Sequence, residues 1–148
     1  MKNKVKQYSY REAYARMNMA MKNNFHLEAI SIQESIITDR LLNFVVKKEI
    51  IQISENELHK PKAYLNNLIK ISKQYFDDES LFELLDKFRN GRNKCIHAMV
   101  KSFPGKPTMS VEEFLLLAKV TSVNGKLMTR KIDAWHKRVT KNLELKNL

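Results

Sequence analysis

The sequence predicts an all-α protein, and three observations lead to that prediction. Apolar residues recur at steps of three and four along most of the 148-residue chain, which is the spacing of one face of an α-helix. The chain holds only three glycines and three prolines, too few to punctuate the many short strands of an all-β fold. Stretches in which apolar and polar residues alternate, as in half-buried strands, are almost absent. We therefore expect a few long helices.

The first two helices are predicted in the N-terminal third of the chain. The first covers about Ser9 to Met21, and the second runs from about Asn24 to Lys47. In the second, apolar residues recur every three or four positions from Leu27 to Val45, so one face of a long helix is expected to lie against the core.

Two more helices are predicted before residue 103. The stretch Ile50 to His59 is expected to be a short extended segment or a loop. A third helix runs from Pro61 to Tyr75, since proline is acceptable in a first helical turn, where its missing N–H has no partner in any case. Asp77 or Asp78 supplies an N-cap for a fourth helix, from about Glu79 to Ser102.

The last helix follows a proline- and glycine-containing break at residues 104–107. Ser110, with Glu113 three positions later, matches a capping box and predicts the start of this helix. We expect it to kink near Gly125 and to end at about Leu143.

Length and composition favour one domain. The chain has 148 residues, of which 43% are hydrophobic and 29% are charged, so it is long enough to bury a core and does not have a disordered composition. We expect a single helical domain over residues 1–148, with a core bundle of about residues 9–103 and a long basic helix of about residues 110–143.

Cysteine and histidine usage argue against disulfides and metals. The single cysteine excludes an intramolecular disulfide and a cysteine-rich zinc cluster, which favours a reducing cytoplasm. The four histidines lie on separate segments without ligand spacing, so we expect no metal and no other cofactor. Neither a signal peptide nor a membrane span is expected, because no sufficiently long apolar run occurs.

Charge points to polyanionic partners. The chain has 27 lysines and arginines against 16 aspartates and glutamates, a net charge of +11. A positive field of this size attracts nucleic acid, the first partner to consider, ahead of acidic proteins and anionic membranes. The alternative is a lysine-rich surface that serves only solubility.

The run from Arg92 to His97 in the fourth predicted helix carries the most chemistry. It supplies an arginine, the amide of Asn93 and a histidine five positions after the arginine. A fixed cation, an orienting group and a proton-transfer group together suffice to cleave an RNA phosphodiester without a metal.

Helical geometry separates the two main groups of this run. At about 100° per residue, Arg92 falls in an apolar stripe and His97 in a polar stripe about 140° away. Either the helix deviates near Gly91, or a second copy of the chain completes the site. An arginine in an apolar stripe needs a carboxylate partner, for which the second helix offers Glu34 and Asp39. The apolar stripe consists of Leu81, Leu84, Leu85, Phe88, Cys95, Ile96 and Met99, and the polar stripe of Asp86, Asn90, Asn93 and His97.

The sequence RNKCIH from Arg92 to His97, in a long helix after Leu84, Leu85 and Phe88, resembles the arginine, polar residue and histidine signature of the HEPN superfamily. Residues 28–42 also resemble the long second helix of these domains, and the likeness covers roughly residues 25–102. The resemblance implies an antiparallel bundle of four to five helices that forms homodimers. Active members are metal-independent endoribonucleases whose motif helices meet across the dimer cleft.

As a hypothesis, the motif assigns catalytic roles to three residues. His97 would move the proton of the ribose 2′-hydroxyl or of the leaving 5′-oxygen, and Arg92 would stabilise the charge on the phosphorane. Asn93 would orient the histidine or the phosphate. The expected products are a 2′,3′-cyclic phosphate and a 5′-hydroxyl. Cations of the fourth and last helices would hold flanking phosphates: Arg89, Lys94, Lys126, Arg130, Lys131, Lys137, Arg138 and Lys141.

Three functions stay open at this point. The first is a ribonuclease of the toxin or phage-defence kind, with RNA as substrate and an antitoxin or other regulatory protein as a further partner. The second is an inactive helical bundle that works through protein contacts, since the run also resembles that of mannitol operon repressor-like proteins. The third is a nucleic-acid-binding domain, for which the charge suffices. Motif and charge together favour the first.

Overall fold

In the computed structural model, which describes residues 3–146, five α-helices pack against one another and this part of the chain contains no strand. The prediction of an all-α protein is confirmed. The helices are α1 (Lys4–Lys22), α2 (His26–Lys47), α3 (Leu65–Ser72), α4 (Glu79–Ala98) and α5 (Val111–Lys146), with single 3₁₀ turns at Glu55–Glu57, Pro61–Ala63 and Lys73–Tyr75. None of the described helices is long and apolar enough to span a membrane.

Local backbone geometry sets the ends of α1 and the start of α2. α1 begins before the predicted Ser9, because the Asn3 side chain caps it by accepting a 3.0 Å hydrogen bond from the Lys6 N–H. Asn24 does not begin α2 as predicted. Its φ of 62° is left-handed, a conformation that ends a helix, so α2 starts at His26.

The third predicted helix is divided into shorter pieces. Tyr64 is extended, with φ −74° and ψ 147°, so Pro61–Ala63 forms a separate turn and α3 covers only Leu65–Ser72. Of the two candidate caps for α4, Asp78 takes the role by accepting a 2.9 Å hydrogen bond from the Ser80 N–H. α4 ends at Ala98, earlier than predicted.

α5 is a continuous helix of 36 residues that packs along α2 and α4. Ser110 Oγ accepts a 3.1 Å hydrogen bond from the Glu113 N–H at its start, as the predicted cap requires. Met128, Ile132 and Trp135 are fully buried in the main core with side chains of α2, α3 and α4. The last helix therefore belongs to the core of the bundle and is not an appendage to it.

Gly125 permits close packing inside α5, and the helix is not interrupted there. A Cβ added to Gly125 would lie 1.9 Å from Gln33 Oε1 of α2 and 2.6 Å from Phe88 Cε2 of α4. Three helices thus meet at this glycine.

Polar contacts hold α1 against α2 and α5. Tyr10 donates a hydrogen bond to Asp39 and Tyr14 donates one to Asp133. Arg40 donates a 2.7 Å hydrogen bond to Asp133, and its guanidinium carbon lies 3.9 Å from the centre of the Tyr10 ring. Burial, followed by these carboxylates, raises the pKa of both tyrosines, so both hydroxyls keep the proton that they donate.

Candidate functional site

α4 carries the run from Arg92 to His97 and continues as a regular helix through Gly91. The glycine lets α4 approach α5 closely, since a Cβ there would lie 2.5 Å from Thr121 Oγ1. The deviation considered near Gly91 does not occur. Arg92 and His97 therefore keep the divergent directions that a straight helix gives them.

Arg92 is held by two neighbours. Its Nε donates a 2.6 Å hydrogen bond to Glu34 Oε2, and its Nη1 donates a 2.7 Å hydrogen bond to Asn93 Oδ1. The side chains of Arg92 and Glu34 are 28% and 25% exposed, so the pair is neither a surface pair nor fully desolvated. The two bonds use two of the five N–H groups of a guanidinium, which leaves three for a ligand.

Asp39, the other carboxylate predicted for Arg92, has different partners. It accepts a 2.7 Å hydrogen bond from Lys6 Nζ and a second from the Tyr10 hydroxyl. Glu34 and Asp39 are five positions apart on α2, so they point in directions about 140° apart, one toward α4 and the other toward α1. Glu34 pairs with Arg92, and the assignment of Asp39 is wrong.

Arg92 lies in a cleft of about 500 Å³ between α2, α4 and the segment that leads into α3; we call this the arginine cleft. Arg89 lines the same cleft. Its Nη2 donates a 2.9 Å hydrogen bond to Asp86, whereas its solvent-shielded Nε has no acceptor among residues 3–146. Two guanidiniums with unused N–H groups thus line one cleft. Its lining consists of Glu34, Thr38, Ala63, Tyr64, Leu65, Asn66, Arg89, Arg92 and Asn93.

His97 lies outside the arginine cleft. Its side chain is exposed, on a face of α4 away from Arg92. Asn93, which was expected to orient the histidine or the phosphate, instead accepts the hydrogen bond from Arg92. One chain therefore brings Arg92, Asn93 and Glu34 together and leaves His97 apart from them.

Exposed apolar side chains cluster at the end of α4. Ile96 and Met99, predicted on the buried stripe, are 47% and 52% exposed, because Cys95 is the last residue of α4 that is buried in the bundle. Val100 and Phe103 follow, 81% and 76% exposed. We call Ile96, Met99, Val100 and Phe103 the α4 tail patch. Clusters of exposed apolar side chains are typical of surfaces that contact another protein.

Four of the cations that were expected to hold RNA phosphates lie in different parts of the bundle. Arg89 lines the arginine cleft, and Lys94 lines a groove between α4 and α5. Lys131 is half-buried and close enough to the cap of α4 to lower the pKa of Asp78, after the hydrogen bonds from Ser80. Arg138 donates hydrogen bonds of 2.7 and 3.1 Å to Asp77, so a carboxylate neutralises much of its charge.

Other candidate residues serve the core. Cys95 is fully buried, and burial raises the pKa of its thiol. Trp135 is also fully buried, and its Nε1 donates a 3.1 Å hydrogen bond to the Tyr75 carbonyl. Within residues 3–146 no group of three histidine, cysteine, aspartate or glutamate side chains is placed to hold a metal ion.

Sequence reasoning missed a second cleft, of about 680 Å³, between α1, α2 and α5; we call it the basic cleft. Six cations line it: Lys6, Arg11, Arg40, Lys47, Lys137 and Lys141. The spacing of Arg40 and Lys47 by seven positions, and of Lys137 and Lys141 by four, does place each pair on one helix face. Only the packing of three helices brings these faces together.

Comparison of the chain with models of protein families, with curated proteins and with solved structures finds no match.

Proposed function

We propose that this protein is a metal-independent endoribonuclease whose active site forms between two copies of the chain. The observation that carries the proposal is the anchored guanidinium of Arg92 in the arginine cleft. Glu34 and Asn93 fix it from one side and leave three N–H groups for two oxygens of a phosphate. A preorganised donor of this kind stabilises charge that develops in a transition state.

The chemistry follows from the groups of the two copies. His97 of one copy accepts the proton of the ribose 2′-hydroxyl, and the freed oxygen attacks the adjacent phosphorus. Arg92 of the other copy stabilises the phosphorane through parallel hydrogen bonds. The imidazolium of His97 then gives that proton to the 5′-oxygen as the P–O5′ bond breaks, which yields a 2′,3′-cyclic phosphate and a 5′-hydroxyl. The guanidinium of Arg89, which Asp86 holds through Nη2, lines the same cleft and places a second cation beside the reacting phosphate.

The α4 tail patch supports a composite site. Ile96 lies four positions after Arg92, so it extends the face of α4 that borders the arginine cleft, and His97 is its neighbour in the chain. If two copies pair through this patch around a two-fold axis, each His97 moves toward the arginine cleft of the other copy. Arg92 and His97 of one site then come from different helices, so the angle of about 140° between them on a single helix no longer keeps them apart.

A second function is favoured by a different surface. Leu116, Val120, Val123 and Leu127 of α5 are between 45% and 64% exposed, and their spacing of four, three and four places them along one helix face. Such a seam fits a partner helix. An inactive bundle that acts through protein contacts, as in the mannitol operon repressor-like proteins that the motif also resembles, would use it.

The test is incubation of the purified protein with end-labelled RNA in EDTA. We expect cleavage to a 2′,3′-cyclic phosphate, with losses of about 100-fold or more in His97→Ala and Arg92→Ala. A substrate with a single 2′-deoxy position should resist at that position. His59→Ala is the matched control, since His59 is also exposed but lies in the α2–α3 connection. RNA binding without cleavage would favour a nucleic-acid-binding domain, and no effect on RNA would favour the inactive bundle.

A further inference from the structure

The basic cleft is large enough for a ligand and strongly charged. Its volume of about 680 Å³ falls within the usual range of ligand sites, about 300 to 1,000 Å³. Among the described residues that line it, Glu144 is the one carboxylate beside six cations. The arginine cleft, by comparison, is lined by two arginines and Glu34.

Ion pairs neutralise two of the six cations. Lys6 pairs with Asp39 and Arg40 pairs with Asp133, each at 2.7 Å. The other four, which are all exposed, form no ion pair with any residue between 3 and 146: Arg11, Lys47, Lys137 and Lys141. Like charges around one cleft repel one another, and a bound anion relieves that repulsion.

The floor of the cleft is fixed, whereas its rim is adaptable. The guanidinium of Arg40 is held by Asp133 and lies over the Tyr10 ring, and Tyr10 is in turn held by Asp39. A floor arranged before the ligand arrives loses little conformational entropy on binding. The lysines of the rim can follow phosphates at variable positions, because their charges sit on flexible stems.

His136 also lines this cleft. It is buried, and its Nε2 lies 2.8 Å from Asn43 Oδ1. Burial, followed by the charges of Arg40 and Lys47, lowers its pKa to about 4, and the carboxylates of Asp133 and Asp39 offset these effects only in part. His136 is therefore neutral at pH 7 and adds no charge to the cleft.

We propose that the basic cleft binds the phosphate backbone of a nucleic-acid strand without reading its bases. Arg40 covers one face of the Tyr10 ring, which lines the cleft, so that face is not free to stack on a base. Unpaired cations around an open cleft suit consecutive phosphates, which RNA and DNA share. This site lies apart from the arginine cleft and does not depend on the nuclease activity proposed above.

The test uses a fluorescein-labelled single-stranded DNA, which lacks the 2′-hydroxyl and so binds without being cleaved. Anisotropy titrations at several salt concentrations compare the wild type with the double variant Lys137→Ala/Lys141→Ala. We expect the slope of log K against log salt to become shallower by about 1.4, since each lost phosphate contact on a single strand removes about 0.7. The affinity at low salt should fall about tenfold or more.

Lys70→Ala/Lys119→Ala is the matched control, because it removes the same charge from exposed lysines outside the cleft. It should keep the wild-type slope, and both double variants should keep the wild-type circular dichroism. Equal losses in the two variants would overturn the proposal, because they would reflect net charge alone. An unchanged slope in the cleft variant would overturn it too.

Calorimetry with ATP tests whether the cleft binds free nucleotides instead of a strand. If the cleft variant loses ATP binding but keeps DNA binding, the cleft is a site for free nucleotides, and the proposal is overturned.

Discussion

Arg92 and Glu34 connect α4 to α2 through a 2.6 Å hydrogen bond between guanidinium Nε and carboxylate Oε2. The bond allows a cation to sit at the edge of the apolar stripe of α4, where a charge without a partner would cost several kcal/mol. It also fixes the guanidinium from its Nε side, so that its remaining N–H groups are free to meet a ligand in the arginine cleft.

We expect this pair to contribute measurably to stability. A double-mutant cycle of Arg92→Ala and Glu34→Ala, measured by urea unfolding, should give a coupling energy of about 1 to 2 kcal/mol, because both groups are partly desolvated. The exposed pair Arg16–Glu12, whose side chains are 65% and 64% exposed, is the comparison and should give about 0.5 kcal/mol or less. Equal coupling in the two cycles would mean that the cleft does not shield Arg92.

Gly125→Ala should destabilise the fold even though alanine favours helices. The added Cβ would meet Gln33 and Phe88, and Gln33 is itself held by a 2.8 Å hydrogen bond to the Ser122 carbonyl. Overpacking of this kind costs about 1 to 3 kcal/mol, which exceeds the gain of about 1 kcal/mol in helix propensity. Gly91→Ala should cost less, because the three atoms nearest to its added Cβ all belong to one side chain, that of Thr121. Urea unfolding that finds Gly125→Ala as stable as the wild type would refute the close approach of the three helices.

The stability of the protein should fall with acidification between about pH 6.5 and pH 4 because of His136. Its pKa in the folded state is about 4, below the ordinary 6.5, so the unfolded chain binds a proton in this window that the folded chain does not. The loss is at most about 1.4 kcal/mol per pH unit. This loss should be what remains in the difference between the wild type and His136→Gln, since every other group titrates in both proteins and cancels. A parallel pH dependence of the two would contradict the low pKa.

Neighbouring cations of α5 should differ in their effect on nucleic-acid binding. Lys137 lines the basic cleft, whereas Arg138 is bound to Asp77 by two hydrogen bonds, which also lower the pKa of that carboxyl. Anisotropy should therefore show a shallower salt slope, by about 0.7, for Lys137→Ala and little change for Arg138→Ala. A larger change in slope for Arg138→Ala than for Lys137→Ala would support the phosphate-binding role that the sequence suggested for Arg138.

The order and type of the helices follow from the sequence because they depend on periodicity and capping, which are local. Ser110 marks the start of α5 in the sequence, and the start of α4 was predicted at Asp77 or Asp78, of which the structure selects Asp78. The turns could not be derived in the same way. Asn24 is left-handed where α1 ends and Tyr64 is extended before α3, and helical periodicity encodes neither conformation, so the predicted starts of α2 and α3 were wrong.

Only part of the candidate site could be predicted from the sequence, for the same reason. A helical wheel of α4 predicts that Arg92 and His97 point in different directions. The position of Arg92 in the apolar stripe predicts that it needs a carboxylate partner. The choice between Glu34 and Asp39 depends on which helix each face of α2 meets, and that is decided by tertiary packing. The basic cleft forms where faces of α1, α2 and α5 meet, and no sequence motif marks it.

The most direct test of a site shared by two copies is complementation between inactive variants. Arg92→Ala and His97→Ala proteins are mixed, unfolded and refolded together, and assayed on RNA in EDTA. With random two-fold pairing, half of the dimers are mixed and each has one complete site, so about one quarter of the wild-type activity should return. Activity that returns on mixing supports Arg92 and His97 acting from different copies. A wild type that cleaves RNA in EDTA, together with a mixture that stays as inactive as its components, would contradict the composite site.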